Sequence, residues 1–472
     1  MAEEPDIINS NTPSEINLSF GKNVFSFYDQ NETGQRAGIE VWDGTLTNKI
    51  GTFQTPPNEL GYYHFDIQNL LQNFTIPNYD AEDYSTKLTT ATDESFEFRV
   101  KYGWVNDSGV FQYAGTYPGT GATDNCIVYG GRKEYWDLRW TNQNDYIINL
   151  AGIGGCPIVS RRQQALTDWT ITKKISKLTG GVPSWIPVTI TEVYNMEKRL
   201  DDELILSFLT KAEKNIGLPP PLGSDGVKGI RVTFYNDNTE IYDSIIPNDI
   251  INGGGSTNDL NTNRNWNYPY NAISIGLGKK NFNTQYLSAP THIYIATYTW
   301  RGAGTCSAQE TNFSSAPTSQ VYRIDIVDDE CNDFAPVQVS WLNSLGFRDY
   351  FYFSKRTDEN INITRNNYEQ VEGTWAADLF QVPTYSRGNT TFSQELTKTK
   401  TINTRFLTDA EAQYLKNLYI SPDVRVRYDG KTDWIPVTIT DSRWTERTFR
   451  KDKLFQYTLN YEEAHKLNSQ RG

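Results

Sequence analysis

Two short acidic runs are the first groups whose type and spacing suggest chemistry: Asp201-Asp-Glu203 and Asp328-Asp-Glu330. Two carboxylates flanking one bond are what glycoside hydrolysis requires, one as acid and one as base or nucleophile. Both runs fall at turns between strand-like segments, where acidic residues form a solvated cap, so neither reads as a catalytic pair. Asn236-Asp-Asn238 offers oxygen donors for a calcium loop, but the rest of the EF-hand spacing is missing. The 3 His, at 64, 292 and 465, have no Ser or Cys nucleophile near them in sequence. Cys126, Cys156, Cys306 and Cys331 show no C-x-x-C spacing and read as unpaired thiols of a protein made in a reducing cytoplasm. No Walker loop, G-x-G-x-x-G, G-x-S-x-G or H-E-x-x-H occurs. The expectation is a protein that is not an enzyme, with no catalytic, cofactor-binding or metal-ligating residues.

Composition sets the frame that would hold any such groups. The chain has 472 residues, enough for two to four domains. Its 44 basic and 57 acidic residues give a net charge of −13, which opposes binding to phosphate backbones, so no nucleic acid is expected as partner. No apolar run reaches the length of a membrane span, and the N-terminus lacks a secretory pattern, so no membrane association is expected. Aromatics make up 13% of the residues, and aromatic and β-branched side chains suit a pleated, half-buried surface.

The elements read accordingly. Period-two alternation marks strands at Ile16-Asn-Leu-Ser-Phe20 and Val24-Phe-Ser-Phe27, with Gly21-Lys-Asn23 as the turn between them. It recurs at Ile39-Glu-Val-Trp42, Phe96-Glu-Phe-Arg-Val100, Arg231-Val-Thr-Phe234, residues 293–300 and Tyr322-Arg-Ile-Asp-Ile326. Helices are few. Residues 408–419 form the best, opened by the capping box Thr408-Asp-Ala-Glu411 and stopped before Pro422. Ala412, Leu415, Leu418 and Tyr419 share one face, which predicts that this helix lies on a sheet. Residues 66–74 predict a short helical turn. Residues 252–267, with three consecutive glycines, read as an exposed loop.

Trp185-Ile-Pro-Val-Thr-Ile-Thr191 recurs identically as Trp434-Ile-Pro-Val-Thr-Ile-Thr440. Each copy is followed by a charged turn and a second strand, ending in Leu454-Phe-Gln-Tyr-Thr-Leu-Asn-Tyr461 in the second copy. The proline inside each copy has no N–H to donate, which predicts an edge strand or a bulge. Gly217-Leu-Pro-Pro-Pro-Leu-Gly223 forbids helix or central strand and reads as a linker. The expected organisation is a duplication: a first β-rich half at 1–216, a Pro-rich linker at 217–224 and a second β-rich half at 225–472. The fold class expected is mainly β, multi-domain, of β-sandwich or tube-like modules with few short helices.

Several segments resemble virion structural proteins of tailed bacteriophages. They are Phe406-Leu-Thr-Asp-Ala-Glu411, Ser421-Pro-Asp-Val424, the second Trp-Ile-Pro-Val-Thr-Ile-Thr copy and Leu454-Phe-Gln-Tyr-Thr-Leu459. Trp341-Leu-Asn-Ser-Leu-Gly-Phe347 with Tyr350-Phe-Tyr-Phe353, and Gly61-Tyr-Tyr-His-Phe-Asp-Ile67, are similar to further stretches of the same group. The resemblance covers about a third of the chain and brings no catalytic residue with it. It implies a structural component of a phage particle, in the tail, baseplate or neck, made in the host cytoplasm and built into the virion. The expected partners are other virion structural proteins and further copies of the chain in a homo-oligomeric ring, each repeat hairpin facing a ring neighbour. Exposed Tyr, Trp and Asn leave an adhesin that recognises host surface glycan as the alternative, ahead of a polysaccharide-degrading tailspike enzyme.

Overall fold

The computed structural model describes residues 5–12, 16–31, 33–75, 88–91, 95–119, 126–131, 165, 167, 174–175, 185, 193–211, 229–247, 270–298, 317, 319–327, 334–385, 388–441 and 456–464. The fold is mainly β with few short helices. It divides into two compact units, one of Met1–Asp329 with Leu342–Asp349, the other of Glu330–Trp341 with Tyr350–Gly472.

The first unit holds four sheets. One has the order β1 (Ile7–Asn11), β3 (Val24–Asp29), β6 (Tyr62–Asp66). A second runs β2 (Ile16–Leu18), β10 (Cys126–Tyr129), β8 (Ser95–Val105), β4 (Arg36–Asp43), β5 (Lys49–Thr55), with β9 (Phe111–Tyr117) also on β8. Alternate residues of both sheets, Phe25, Phe27 and Phe65 from one and Ile39, Val41, Phe98 and Val100 from the other, share one apolar core. That is the sandwich arrangement two amphipathic sheets reach by burying their inner faces. Strands β2 and β3, adjacent in sequence, belong to different sheets. The Asn23 side chain donates to the Leu18 and Gly21 carbonyls, so the intervening turn redirects the chain instead of closing a hairpin. The expected helical turn follows β6, as α1 (Gln68–Leu71) and a 3₁₀ turn at Gln72–Phe74.

A third sheet has the order β11 (Lys174–Ile175), β12 (Val193–Arg199), β18 (Tyr322–Val327), β17 (His292–Tyr298), β14 (Gly229–Asn236), β15 (Thr239–Pro247). A fourth runs β13 (Ile205–Lys211), β16 (Tyr270–Gly276), β7 (Leu88–Ala91). These pairings correct the expected halves. Strand β12 pairs with β18, and β13 with β16, across the proline run at 217–224. The compact units part after Asp329 instead. Prolines prohibit local structure, but they do not prevent the strands on either side from pairing with each other. Residues 217–224 themselves lie outside the described residues, as does the loop expected at 252–267.

The second unit is built on a seven-stranded sheet. Its order is β20 (Arg348–Phe353), β19 (Val337–Leu342), β25 (Val424–Tyr428), β26 (Ile435–Ile439), β27 (Thr458–Glu463), β24 (Asn389–Asn403), β21 (Thr357–Glu369). A small hairpin, β22 (Thr374–Ala376) with β23 (Leu379–Gln381), is separate from it. The expected helix forms over Asp409–Tyr419, numbered α3 after a one-turn α2 (Asn283–Tyr286) in the first unit. Thr408 caps it, and both arms of the capping box with Glu411 are present. Its buried Tyr414 lies 5.1 Å from the Trp341 ring, and its hydroxyl donates to the Tyr350 carbonyl at 3.1 Å, which seats the helix on the sheet.

Strand β26 carries the second repeat copy and corrects a further expectation. It is not an edge strand: β25 flanks it on one side and β27 on the other. Pro436 is tolerated because of where β27 stops. The Pro436 carbonyl accepts from Ala464 N at 3.0 Å, one residue past the end of β27. A strand residue directs its N–H and C=O to the same side. The missing N–H therefore faces the place where the ladder has already finished.

Candidate functional site

Among the described residues, the groups singled out for chemistry make structural contacts. Asp201, exposed in the turn between β12 and β13, pairs with Lys279 at 3.1 Å. Asp202 and Glu203 are buried, which corrects the expected solvated cap. Asp202 accepts the Arg199 N–H at 3.1 Å. The Glu203 carboxylate occupies the space where a side chain on Gly278 would go, so a larger residue there would have to displace it. The buried Lys198 ammonium donates to the Arg199 carbonyl at 2.8 Å and lies 4.7 Å from the Tyr286 ring. Burial, and after it the charges of Glu203 and Asp202, push the Tyr286 phenol far above its usual range. The turn is a closed polar joint in which each group is held by the next. The second run, 328–330, lies outside the described residues.

Asn236-Asp-Asn238 forms the tight turn joining β14 to β15, with Asp237 at φ 51° and its N–H on Thr291 Oγ1. Among the described residues no group of three or more His, Cys, Asp or Glu converges. His64 Nδ1 lies 2.8 Å from Ser26 Oγ, a pairing across β3 and β6 that sequence separation concealed. Its Nε2 is 3.4 Å from Asn58 Nδ2. His292 is buried and stacked on Tyr235. Cys126 is buried in β10, and His465 and the other three cysteines lie outside the described residues. Beside His64 opens a cavity of about 470 Å³, lined in part by Tyr28, Asp29, Asn58, Glu59, Leu60 and Tyr62.

The repeat has its own geometry. Trp185 packs edge-on against Tyr298 at 6.0 Å, with the Arg231 guanidinium 5.4 Å from its ring. Trp434 packs edge-on against Tyr350 at 6.0 Å, with the Arg427 guanidinium 5.6 Å from its ring. The two copies thus build the same trio of Trp, Tyr and Arg in different units. They differ in one bond: the Trp185 indole donates to Thr233 Oγ1 at 3.2 Å, whereas the buried Trp434 N–H has no acceptor. Residues 186–192 lie outside the described residues. In the second copy both edges of β26 are taken, by β25 and β27, so what this hairpin offers a neighbour is its side chains rather than a strand edge.

A further exposed apolar surface lies in the second unit. Strands β21 and β24 pair from Thr357↔Ile402 to Glu369↔Asn389, but β27 supports only Thr399–Asn403 of β24. Beyond that point nine residues of β21, 361–369, continue as a two-stranded arm, about 30 Å long at the rise of an extended chain. The hairpin β22–β23 forms its tip, where Trp375 faces Phe380 across the strands. Trp375 is 73% exposed, Val371 89% and Tyr385 85%. Phe392 is the extra residue of a β-bulge between the pairs Asn366↔Ser393 and Asn367↔Thr391, and it is aimed into solvent. Asn366 donates to Ser393 Oγ and Thr391 to Asn367 Oδ1, bracing the bulge from both sides. At the base of the arm Lys398 and Lys400 bridge Glu359 and Glu463. The Lys398 hydrogen bond comes first among the causes holding the Glu359 carboxyl below its usual range; burial opposes it, and the Lys398 and Lys400 charges add to it.

No protein-family model matches the chain, and no curated protein matches it. Among solved structures, one described as giving structural insight into host cell surface retention of a 1.5-MDa bacterial ice-binding adhesin is similar at 8% identity, with a TM-score of 0.16 over 98% of both chains. Dimeric latent PorU from Porphyromonas gingivalis is similar at 9% identity, with a TM-score of 0.19 over 84% of this chain and 32% of that one. TM-scores this low do not mark a shared fold.

Proposed function

We propose that this protein is a non-enzymatic structural and assembly component of a tailed phage particle, in its tail, baseplate or neck, and that it joins its neighbours through the β21–β24 arm. The observation that carries the reading is the arm itself. A two-stranded ribbon is at best marginally stable in water unless something packs against it. This one displays a Trp, two Phe and two Tyr at levels a solitary soluble chain seldom tolerates. The resemblance of about a third of the sequence to virion structural proteins supplies the particle. A ring closed through the repeat hairpins remains part of the proposal inside the particle, apart from the arm's contact.

The test is location. Antibody or mass-spectrometric detection of the chain in purified particles, at a fixed ratio to the major structural proteins, is the expected result. Particles that contain none of it would overturn the reading. A second reading, glycan recognition, is favoured by the cavity beside His64. There Tyr28 and Tyr62 lie 5.9 Å apart near Asn58 and Glu59, an aromatic and polar pairing that suits a sugar ring. Binding of host polysaccharide that is lost in Tyr62→Ala would support it.

A further inference from the structure

Among the described residues β21 is the outermost strand of its sheet, with no described strand on its other edge. Along that edge the sequence reads Asp358-Glu-Asn-Ile-Asn-Ile-Thr-Arg-Asn366. Its order is self-complementary about Asn362. If a second copy of the strand is laid antiparallel with Asn362 opposite Asn362, Ile361 meets Ile363, Asn360 meets Thr364, and Glu359 meets Arg365, each pairing occurring twice. Side chains directly opposite across an antiparallel pair share a face. Residues 359, 361, 363 and 365 all lie on one face of the arm, so the four matched pairs form one continuous row. Shifting the centre by one residue, to Ile363, puts Ile361 opposite Arg365 and leaves Glu359 opposite Asn367, which loses both the apolar and the charged matches.

We infer that the arm's partner is a second copy of this chain, joined by β21 pairing with β21 about a two-fold axis through Asn362. This rests on the assembly role proposed above and names its partner. A row that complements itself in charge and in shape has a reason to exist only when the same row faces it. Isologous contacts of this kind define two-fold dimers. The pairing joins two ribbons into a four-stranded sheet and covers the open β21 edge of each, leaving the two β24 edges on the outside. It also sets Glu369 opposite Lys355 and carries each arm's tip, with Trp375, Phe380 and Tyr385, towards the base of the other copy's arm. At roughly 150–250 Å² per aromatic side chain, the exposed apolar groups of one arm amount to on the order of 1,000 Å². Two reciprocal arms then reach about 2,000 Å², the lower bound of stable homodimer interfaces.

Cysteine placement in the full-length chain tests the register. Under mild oxidation Asn362→Cys should give a disulfide-linked dimer well above the unsubstituted chain, because residue 362 faces itself. Asn360→Cys should not, because it faces Thr364. A mixture of Ile361→Cys and Ile363→Cys chains should cross-link more than either chain alone. Arg365→Glu, which sets Glu opposite Glu359, should weaken the dimer at least tenfold at low salt. These positions are exposed on the arm, so the variants leave the cores untouched. Cross-linking of Asn360→Cys as readily as Asn362→Cys, or no excess linkage at 362, would overturn the pairing. The two proposals fail separately. A chain found in particles but unlinked at 362 keeps the assembly role and loses this partner. A chain linked at 362 but absent from particles keeps the dimer and loses the virion role.

Discussion

Trp185 and Trp434 show how a repeated word in the sequence becomes a repeated contact. Each indole is clasped between a Tyr edge and an Arg guanidinium, so the identity of the seven residues around it preserves a packing unit. Trp185 is the more deeply buried, and Trp185→Ala should cost about 3 kcal/mol, as for a large aromatic removed from a core. Trp434→Ala, at a half-buried site, should cost less. The conservative change separates the two copies further. Trp185→Phe gives up the bond to Thr233 and should cost about 1 kcal/mol more than Trp434→Phe, whose indole N–H has no acceptor to lose. Guanidinium denaturation of the four variants checks the order. At this scale the sequence showed that the tryptophans mattered but not their partners. Arg231, Tyr298 and Tyr350 come from distant segments, as does the Ser26 that meets His64, and only Arg427 lies on a strand next to its tryptophan in sequence. Nor did it show that Asp202 and Glu203 turn inward, because an acidic run in a turn reads the same whether it faces solvent or the interior.

Among the elements, the helix α3 was the most legible, since its start, its apolar face and its stop are all local signals. Thr408→Ala removes the cap and should lower stability by about 1 kcal/mol, read as a fall in the thermal midpoint; Thr408→Ser should restore most of it. Strands were legible wherever one face is buried, as in β4, β8, β14 and β18. The arm was not, because alternation is visible only when one face is apolar. Its β21 strand is polar except for Ile361, Ile363 and Tyr368. The base of the arm gives a pH dependence. Glu359 has its carboxyl depressed in the fold, so the stability it lends is complete above the ordinary value of 4.5 and is lost as pH falls through the lower folded value. The protection of residues 357–361 against hydrogen exchange, taken relative to the intrinsic rate at each pH, should therefore fall below about pH 4.5. Glu359→Gln should remove that dependence.

For the whole molecule, the division of the chain is where sequence punctuation failed. A triple proline is a strong local signal, yet the strands before it pair with strands after it, and the compact units part elsewhere. The mainly β class, by contrast, follows from composition alone, because a chain this rich in aromatic residues and turn formers has few other ways to build cores. The assembly role turns on whether the arm is what brings copies together. The most direct measurement is light scattering after size exclusion, over a range of concentrations, on the full chain and on a chain with residues 361–398 replaced by an Asn-Gly turn. That replacement closes β21 onto β24 at the directly opposed pair Asn360↔Thr399 and leaves the supported part of the sheet in place. The full chain should show the mass of a dimer or a larger closed oligomer, and the shortened chain that of a monomer. Equal masses for the two, whether both monomeric or both associated, would contradict the account.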